Sequence, residues 1–530
     1  MIIDANNIES KSIFKADICI LGGGIAGIVL ANELLSTNKN IILLESGSEQ
    51  YDDKTQGLYE AESTPSIFPN PRASRLRFLG GSSNHWENST ERFSPIDFKK
   101  RDWISDSGWP LTYGELEPYY TKAEEYAKVD KGGYQFEFWK EKFNSTDIFS
   151  KSTLFSSTVS KSSLYPTQFY REYGDNLARA KNIKIITNAN VVNLKYNTET
   201  QVVNSAIFRT FKDEQHQVDA NTFIMCFGGI ENARMLLTFN EKYKNKLGNE
   251  YDNVGRYFME HPTVRAAHFL PLQENKLDKI YEGTIDDELY ITARASLSEA
   301  AQMAHRTNNL RMYFTKRSKI ELSAGISSSH IISNSIKNSE TPEEFGGHLL
   351  NIIKDIDHIA EAFLRKELDT SFFDSTHEFG GYQIISMIEQ TPDRNNRVQL
   401  GKEKDSLGIK KVKIDFRVTE TDKEKTWTTL ELLAKDPSIQ SIGRVRLLKD
   451  RDSRIWTSQL GFGQHHMGTT KMSDNVKSGV VDPSLKVFGT KNFYISGSSV
   501  FPTGGHVPPT LTIIAVTIRL AHTLKSTILT

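Results

Sequence analysis

The chain has 530 residues, too many for one compact core, so two domains or a nucleotide-binding body with an inserted lobe are expected. Its 65 basic and 66 acidic residues leave a formal net charge of -1, which excludes the basic footprint of a nucleic-acid-binding protein. No run of about 18 apolar residues occurs, and the start "MIIDANNIESKSIFKADICIL" lacks the basic-then-apolar pattern of a secretion signal. The reading is a soluble protein with a cytoplasmic location. Only two cysteines, Cys19 and Cys226, are present; each sits in an apolar run and reads as a packed core residue.

The first predicted element is the strand "ADICIL", residues 16–21, apolar and β-branched enough for a buried parallel strand. The turn "GGGIAG" follows, with Gly22, Gly24 and Gly27 in G-x-G-x-x-G spacing, and opens a helix "IAGIVLANELLS". A second strand, "NIILLE", ends at Glu45. Gly22 permits the tight turn, Gly24 lets backbone approach a pyrophosphate, and Gly27 lets helix and strand pack closely. Free amides at the helix start suit the phosphates, and Glu45 can accept hydrogen bonds from ribose hydroxyls. The glycines follow a strand, open a helix and have their acid about 20 residues on, the context that marks a dinucleotide site. An acid at this place disfavours NADP; FAD and NAD stay open on the fingerprint alone.

Residues 78–98, "FLGGSSNHWENSTERFSPIDF", form a second Gly-Ser loop with Gly80, Gly81, Ser82 and Ser83, small enough for close contact with a flat ring or phosphates. A strand around "NANVVNLKY" leads to "TFIMCFGGIENARMLLT", residues 222–238, where strand, glycine pair and amphipathic helix repeat the nucleotide-domain grammar. Between about 263 and 455 the texture turns polar and alternating, with the long helix candidate "HLLNIIKDIDHIAEAFLRKEL". His330, His348 and His358 fall there without metal-ligand spacing, and no metal site is expected. Residues 463–469, "GQHHMGT", set His465 and His466 side by side. Adjacent residues of extended chain point to opposite faces, so both are not expected to face the same ligand.

In order along the chain, "GGGIAG…LLESG", "LGGSSNHWENS", "CFGGIENARMLL", "VGRYFMEHP", "EQTPDRNNRVQL" and "HHMGTTKM…SGVVDPSLKVFGTKNFYISGSSVFPTGGHVPPTLTIIAV" resemble the motif blocks of the glucose-methanol-choline (GMC) oxidoreductases, in a form similar to the bacterial, pyranose-oxidase-like branch. The resemblance implies an α/β fold: a discontinuous Rossmann-like FAD-binding domain over residues 1–100, 180–262 and 456–530, and an α+β substrate domain with an antiparallel sheet over 101–179 and 263–455. It implies FAD as cofactor and oxidation of a CH–OH group, on a sugar or sugar-like polyol, with hydride passing to flavin N5. It also implies His465 as general base, the first residue of H-x-x-G-T. Cofactor contacts are implied at Ile25, Ala26, Ser46, His85, Val191, Gly228, Asn232, Ser498, His506 and Val507, beside the glycines and serines above. A covalent flavin link at His85, and the identity of the electron acceptor, stay open.

One departure stands out. Where the family carries Asn or His before "PTLT", this chain has Pro508, which offers no side-chain donor. His506, two residues earlier on the same face of an extended segment, or His466 would then replace it. The same departure admits an alternative function, a lyase- or decarboxylase-like flavin enzyme on the same fold.

Overall fold

The structure, a computed structural model, describes all residues except 273–276, 320, 338–340, 343, 358, 361–378, 449–459 and 529–530. Among the described residues the strands gather into two eight-stranded sheets and one of three strands. At the centre of the first sheet, Ile13–Leu21 pairs in parallel with Ile41–Leu44 and with Gln215–Met225. Ile183–Thr187 and Ile2–Asp4 extend the parallel part on one side. Val202–Arg209 and Asn190–Asn197 continue it antiparallel on the other, and Phe493–Ile495 returns near the chain's end to pair in parallel with Gln215–Met225. The apolar runs read as strands are buried on both faces: Cys19, Ile20, Leu21 and Leu43 are fully enclosed. That is the environment a parallel sheet covered by helices provides. The helix Ile25–Leu34 packs against the C-terminal helix Thr510–Ile528, which also packs on Tyr113–Ala127.

The second sheet is antiparallel. Its order runs Thr284–Asp286, Leu289–Leu297, Leu310–Ser318, Phe379–Ile388, Pro262–Pro271, Gly443–Leu447, with Phe155–Ser163 paired to Leu289–Leu297 and Leu460–Phe462 to Pro262–Pro271. The protein is therefore α/β, with a parallel nucleotide-type sheet and a separate antiparallel one.

The linear division expected from the sequence is less clean. Segment 101–179 contributes Phe155–Ser163 to the antiparallel sheet, but its helices Tyr113–Ala127 and Phe169–Arg179 pack on the nucleotide half, the latter against Ile25–Leu34 and Ile183–Thr187. The strand Leu460–Phe462 belongs to the antiparallel sheet, although the expected division counted it with the nucleotide half. Of the long helix expected from residue 348, Phe345–Lys354 is helical, and so are residues 356–357 and 359–360 after a turn at Asp355; His358 and residues 361–368 lie outside the described residues. Among the described residues no helix is long and apolar enough to cross a membrane.

Four parallel strands end at one crevice. The residue that follows each of them — Gly22, Glu45, Cys226 and Ser496 — lines the same cavity. Ligands of open α/β sheets bind at this carboxyl end. The antiparallel sheet supplies the opposite wall through Thr263, Arg265, Arg294, Arg311, Tyr313 and Met387.

Candidate active site

The cavity between the sheets has a volume of about 780 Å³, within the ~300–1,000 Å³ range of ligand and cofactor sites. Its floor is the glycine turn. Gly22 has φ +108°, a conformation that L side chains rarely adopt, and a Cβ on Gly27 would stand 1.9 Å from the Gly22 carbonyl oxygen. These two glycines are demanded by the fold. Gly24 differs: it opens the helix, and a Cβ there would meet nothing within 4 Å, because the position faces the cavity. Gly228, with φ +86°, faces open space in the same way. Ile25 and Ala26 present the helix N-terminus to the cavity.

The second glycine loop is locked onto the first. The Gly80 amide donates to the Gly23 carbonyl at 2.9 Å, and Gly81, at φ +54°, leaves room for only 3.2 Å between its own Cβ position and the Gly24 Cα. Gly81, Ser82 and His85 line the cavity; Gly80 and Ser83 brace the loop from behind, with the Ser83 hydroxyl donating to the Gly80 carbonyl at 2.7 Å. Gly27, Gly80, Ser83 and Asn232, expected as cofactor contacts, lie outside the cavity wall. Asn232 instead accepts the Phe227 amide at 2.8 Å and donates to the Ser499 hydroxyl at 2.8 Å, fixing the turn that carries Gly228. Val191, Ser46 and Ser498 do reach the wall.

Glu45 is buried, and its two oxygens accept the Gly23 amide at 2.7 Å and the Gly47 amide at 2.8 Å. Burial raises its pKa and these amides oppose the shift. A carboxylate has about four lone-pair sites, so capacity for ribose hydroxyls remains. Beside it the Arg77 Nε donates to the Ser46 hydroxyl at 2.8 Å, and a guanidinium nitrogen of Arg77 lies 3.2 Å from Glu231. The open space at Gly24 and Gly228, the free helix amides and the acid at Glu45 fit a flavin dinucleotide.

His465 and His466 are both among the residues that line the cavity. The expectation that the two would be separated by face is therefore not met at the level of the cavity lining. Their surroundings differ. The His466 ring packs between Phe68 and Phe258, each 5.9 Å away, and its Nε2 lies 3.8 Å from the Glu260 carboxylate, too long for a hydrogen bond. Burial lowers its pKa to about 3, keeping it neutral.

His465 instead meets a residue the sequence reading left unassigned. Its Nδ1 is 2.9 Å from Nδ1 of His261, and the rings stand edge to face. The Nε2 of His261 lies 3.0 Å and 3.2 Å from the carbonyl oxygens of Gly505 and Gly504. Carbonyls only accept, so this nitrogen carries the hydrogen. His261 is neutral, its pKa lowered to about 4 by burial and then by Arg311, which leaves its Nδ1 bare. His465 must therefore donate Nδ1–H to it, and the Nε2 of His465 is left as a lone pair. Burial, then His261 and Arg311, hold His465 well below the ordinary histidine value. Glu260, whose pKa burial raises to about 8, accepts the amide hydrogens of both His261, at 2.8 Å, and His465, at 2.5 Å. It anchors the backbone of the pair. The signal in the sequence was the "EHP" of "VGRYFMEHP", a buried acid directly before a histidine.

His506 is not where the sequence placed it. It is 2% exposed, both ring nitrogens lack a hydrogen-bond partner, and neither it nor Val507 belongs to the cavity wall. Pro508, Pro509 and Thr510 line the wall instead. Of the two residues weighed as a replacement for the family's polar group, His466 alone reaches the cavity.

Three comparisons bear on this site. A family model described as GMC oxidoreductase matches residues 392–517. Over 97% of the chain and 98% of the relative, the sequence is 23% identical to the fructose dehydrogenase large subunit of Gluconobacter japonicus. Over 96% of the chain and 91% of the relative, it is 22% identical to 6'''-hydroxyparomomycin C oxidase of Streptomyces lividus. A solved structure of Aspergillus oryzae formate oxidase, from work on the effect of a mutation on its FAD modification, shares the fold with TM-score 0.55 at 16% identity, covering 98% of this chain and 99% of that one. Family model, full-length relatives and fold agree: the chain is an FAD-dependent oxidoreductase similar to the GMC oxidoreductases, whose family model its residues 392–517 match.

Proposed function

We propose that the protein oxidises a CH–OH group of a sugar-like polyol, with His465 as general base. The observation that carries the reading is that His465 lines the cavity with its Nδ1 committed to His261, which leaves its Nε2 as a lone pair. A neutral imidazole with a fixed tautomer takes a hydroxyl proton without first having to lose its own. FAD, when bound, supplies the acceptor for the two electrons that leave the carbon with its hydrogen as hydride. The chain's own part is to hold the alcohol between the sheets, exclude water, and receive the proton at His465. The relatives named above act, by their names, on fructose and on 6'''-hydroxyparomomycin C, which supports a polyhydroxylated substrate.

Nothing favours the lyase-like alternative. It rested on the missing donor at Pro508, and the cavity has other polar groups, among them His466. The test is anaerobic mixing of the yellow holoenzyme with sugars, aminosugars and simple alcohols. Bleaching of the flavin band by a polyol, with its carbonyl product recovered, is the expected result. A flavin that dithionite reduces but none of these alcohols does would overturn the reading.

A further inference from the structure

The wall opposite the glycine turn is unusually cationic. Arg265, Arg294 and Arg311 come from three strands of the antiparallel sheet, and all three line the cavity. Strand register explains the convergence of Arg294 and Arg311, while Arg265 lies in the irregular stretch between Val264 and Ala267. Ser296, Arg311, Met387 and Thr263 are directly paired across four neighbouring strands and so share one face; Arg294, two residues before Ser296, shares it too. Tyr313 stands between the cations, with the Arg294 guanidinium 4.7 Å and that of Arg311 5.9 Å from its ring centre.

Counter-charge is scarce. Glu91, 3.3 Å from Arg311, is the acid on this side, and both side chains are buried. Among the described residues Arg265 and Arg294 make no ion pair, and the Nε atoms of Arg294 and Arg311 are buried without a hydrogen-bond partner. Glu45 and Glu231, also on the cavity wall, are engaged at the glycine end, and Glu87 stands exposed on the loop of His85. Burial, and then repulsion from Arg311, push the Arg294 pKa down to about 10. Three cations against one acid leave a surplus of two charges in a partly desolvated wall, a costly arrangement that a ligand anion relieves. Arg311 also depresses His261 and His465, which puts the surplus within electrostatic reach of the base.

We propose that this wall is an oxyanion subsite, so that the polyol oxidised here carries a carboxylate or a phosphate close to the reacting CH–OH. The planar guanidinium fork matches both groups. The inference rests on the reading of the cavity as an alcohol-oxidising site. It narrows that reading to sugar acids or sugar phosphates.

The experiment uses holoenzyme with sulfate, gluconate, glucuronate and glucose 6-phosphate, and glucose as the neutral control. Two readouts are taken: the saturable shift of the flavin spectrum on adding each anion, and the rate of anaerobic flavin reduction. The anions are expected to bind saturably and glucose not. The preferred anion, carboxylate or phosphate, separates the two sources. Arg294→Gln and Arg311→Gln should each weaken anion binding ~10-fold or more with FAD content unchanged. Arg294→Gln serves if loss of the Glu91 pairing unfolds the Arg311 variant. No oxyanion binding, or equal binding in wild type and Arg294→Gln, overturns the subsite. Loss of FAD from Arg294→Gln also overturns it, by assigning the arginines to the cofactor. Reduction by glucose with no anion effect would sink this inference alone; failure of every alcohol to reduce the flavin, with anion binding intact, would sink the functional reading instead.

Discussion

A single ring nitrogen decides what His465 can do. With His261 committed through Nε2 to two carbonyls, the tautomer of His465 is set by a residue 204 positions away. His261 is thus a positioning residue that acts through His465. His261→Ala frees the tautomer and removes a neighbour that depresses the base, so flavin reduction should slow ~10-fold or more. Its acid limb should also move up towards the ordinary histidine value of about 6.5. In the wild type, the depressed pKa of His465 keeps the rate level through neutral pH and lets it fall only in acid. His261→Asn, whose side-chain oxygen can accept the same hydrogen, should restore part of the rate. A pH–rate profile of His261→Ala that overlays the wild type would show that His261 merely fills space. "EHP" was visible in the sequence, but a pairing across 204 residues leaves no periodic or spacing signal, so His261 stayed unassigned.

The glycine turn separates two kinds of necessity within one element. Gly27 is hemmed in by its own strand, with a Cβ position 1.9 Å from the Gly22 oxygen, whereas Gly24 has ordinary backbone angles and faces the cavity. Gly27→Ala should destabilise the fold itself, by ~1–3 kcal/mol for overpacking, and lower the melting temperature even of cofactor-free protein. Gly24→Asp should fold normally and emerge colourless, because its carboxylate enters the space meant for phosphate. The ratio of flavin to protein absorbance, read beside a thermal melt, distinguishes them; a yellow Gly24→Asp protein would remove this turn from the cofactor site. This element was legible in the sequence because its physics is local: strand, turn, helix start and acid follow within about 25 residues.

At the scale of the molecule, what the sequence did not disclose is what two sheets make between them. Gly22, Gly24, Glu45, Ser82 and His465 were readable as site residues from their motifs, and each reaches the cavity. The arginine wall was not, because Arg294 and Arg311 converge only through strand pairing and Arg265 joins them from an irregular stretch of its strand. His506 misled for a related reason: two-residue alternation assumes extended chain, and the chain bends at residues 506–507. Helices Tyr113–Ala127 and Phe169–Arg179 joined the nucleotide half because their partners lie on Thr510–Ile528 and Ile25–Leu34, which chain position does not reveal. The proposed reaction depends on the two sheets delivering an alcohol to one bare nitrogen. The direct measurement is the anaerobic rate constant for flavin reduction by a substrate polyol in wild type, His465→Ala and His466→Ala. A loss of ~100-fold or more in His465→Ala, with a much smaller loss in His466→Ala and full flavin content in both, is the predicted result. A reversed ranking, or a His465→Ala enzyme that reduces its flavin as fast as the wild type, would contradict it.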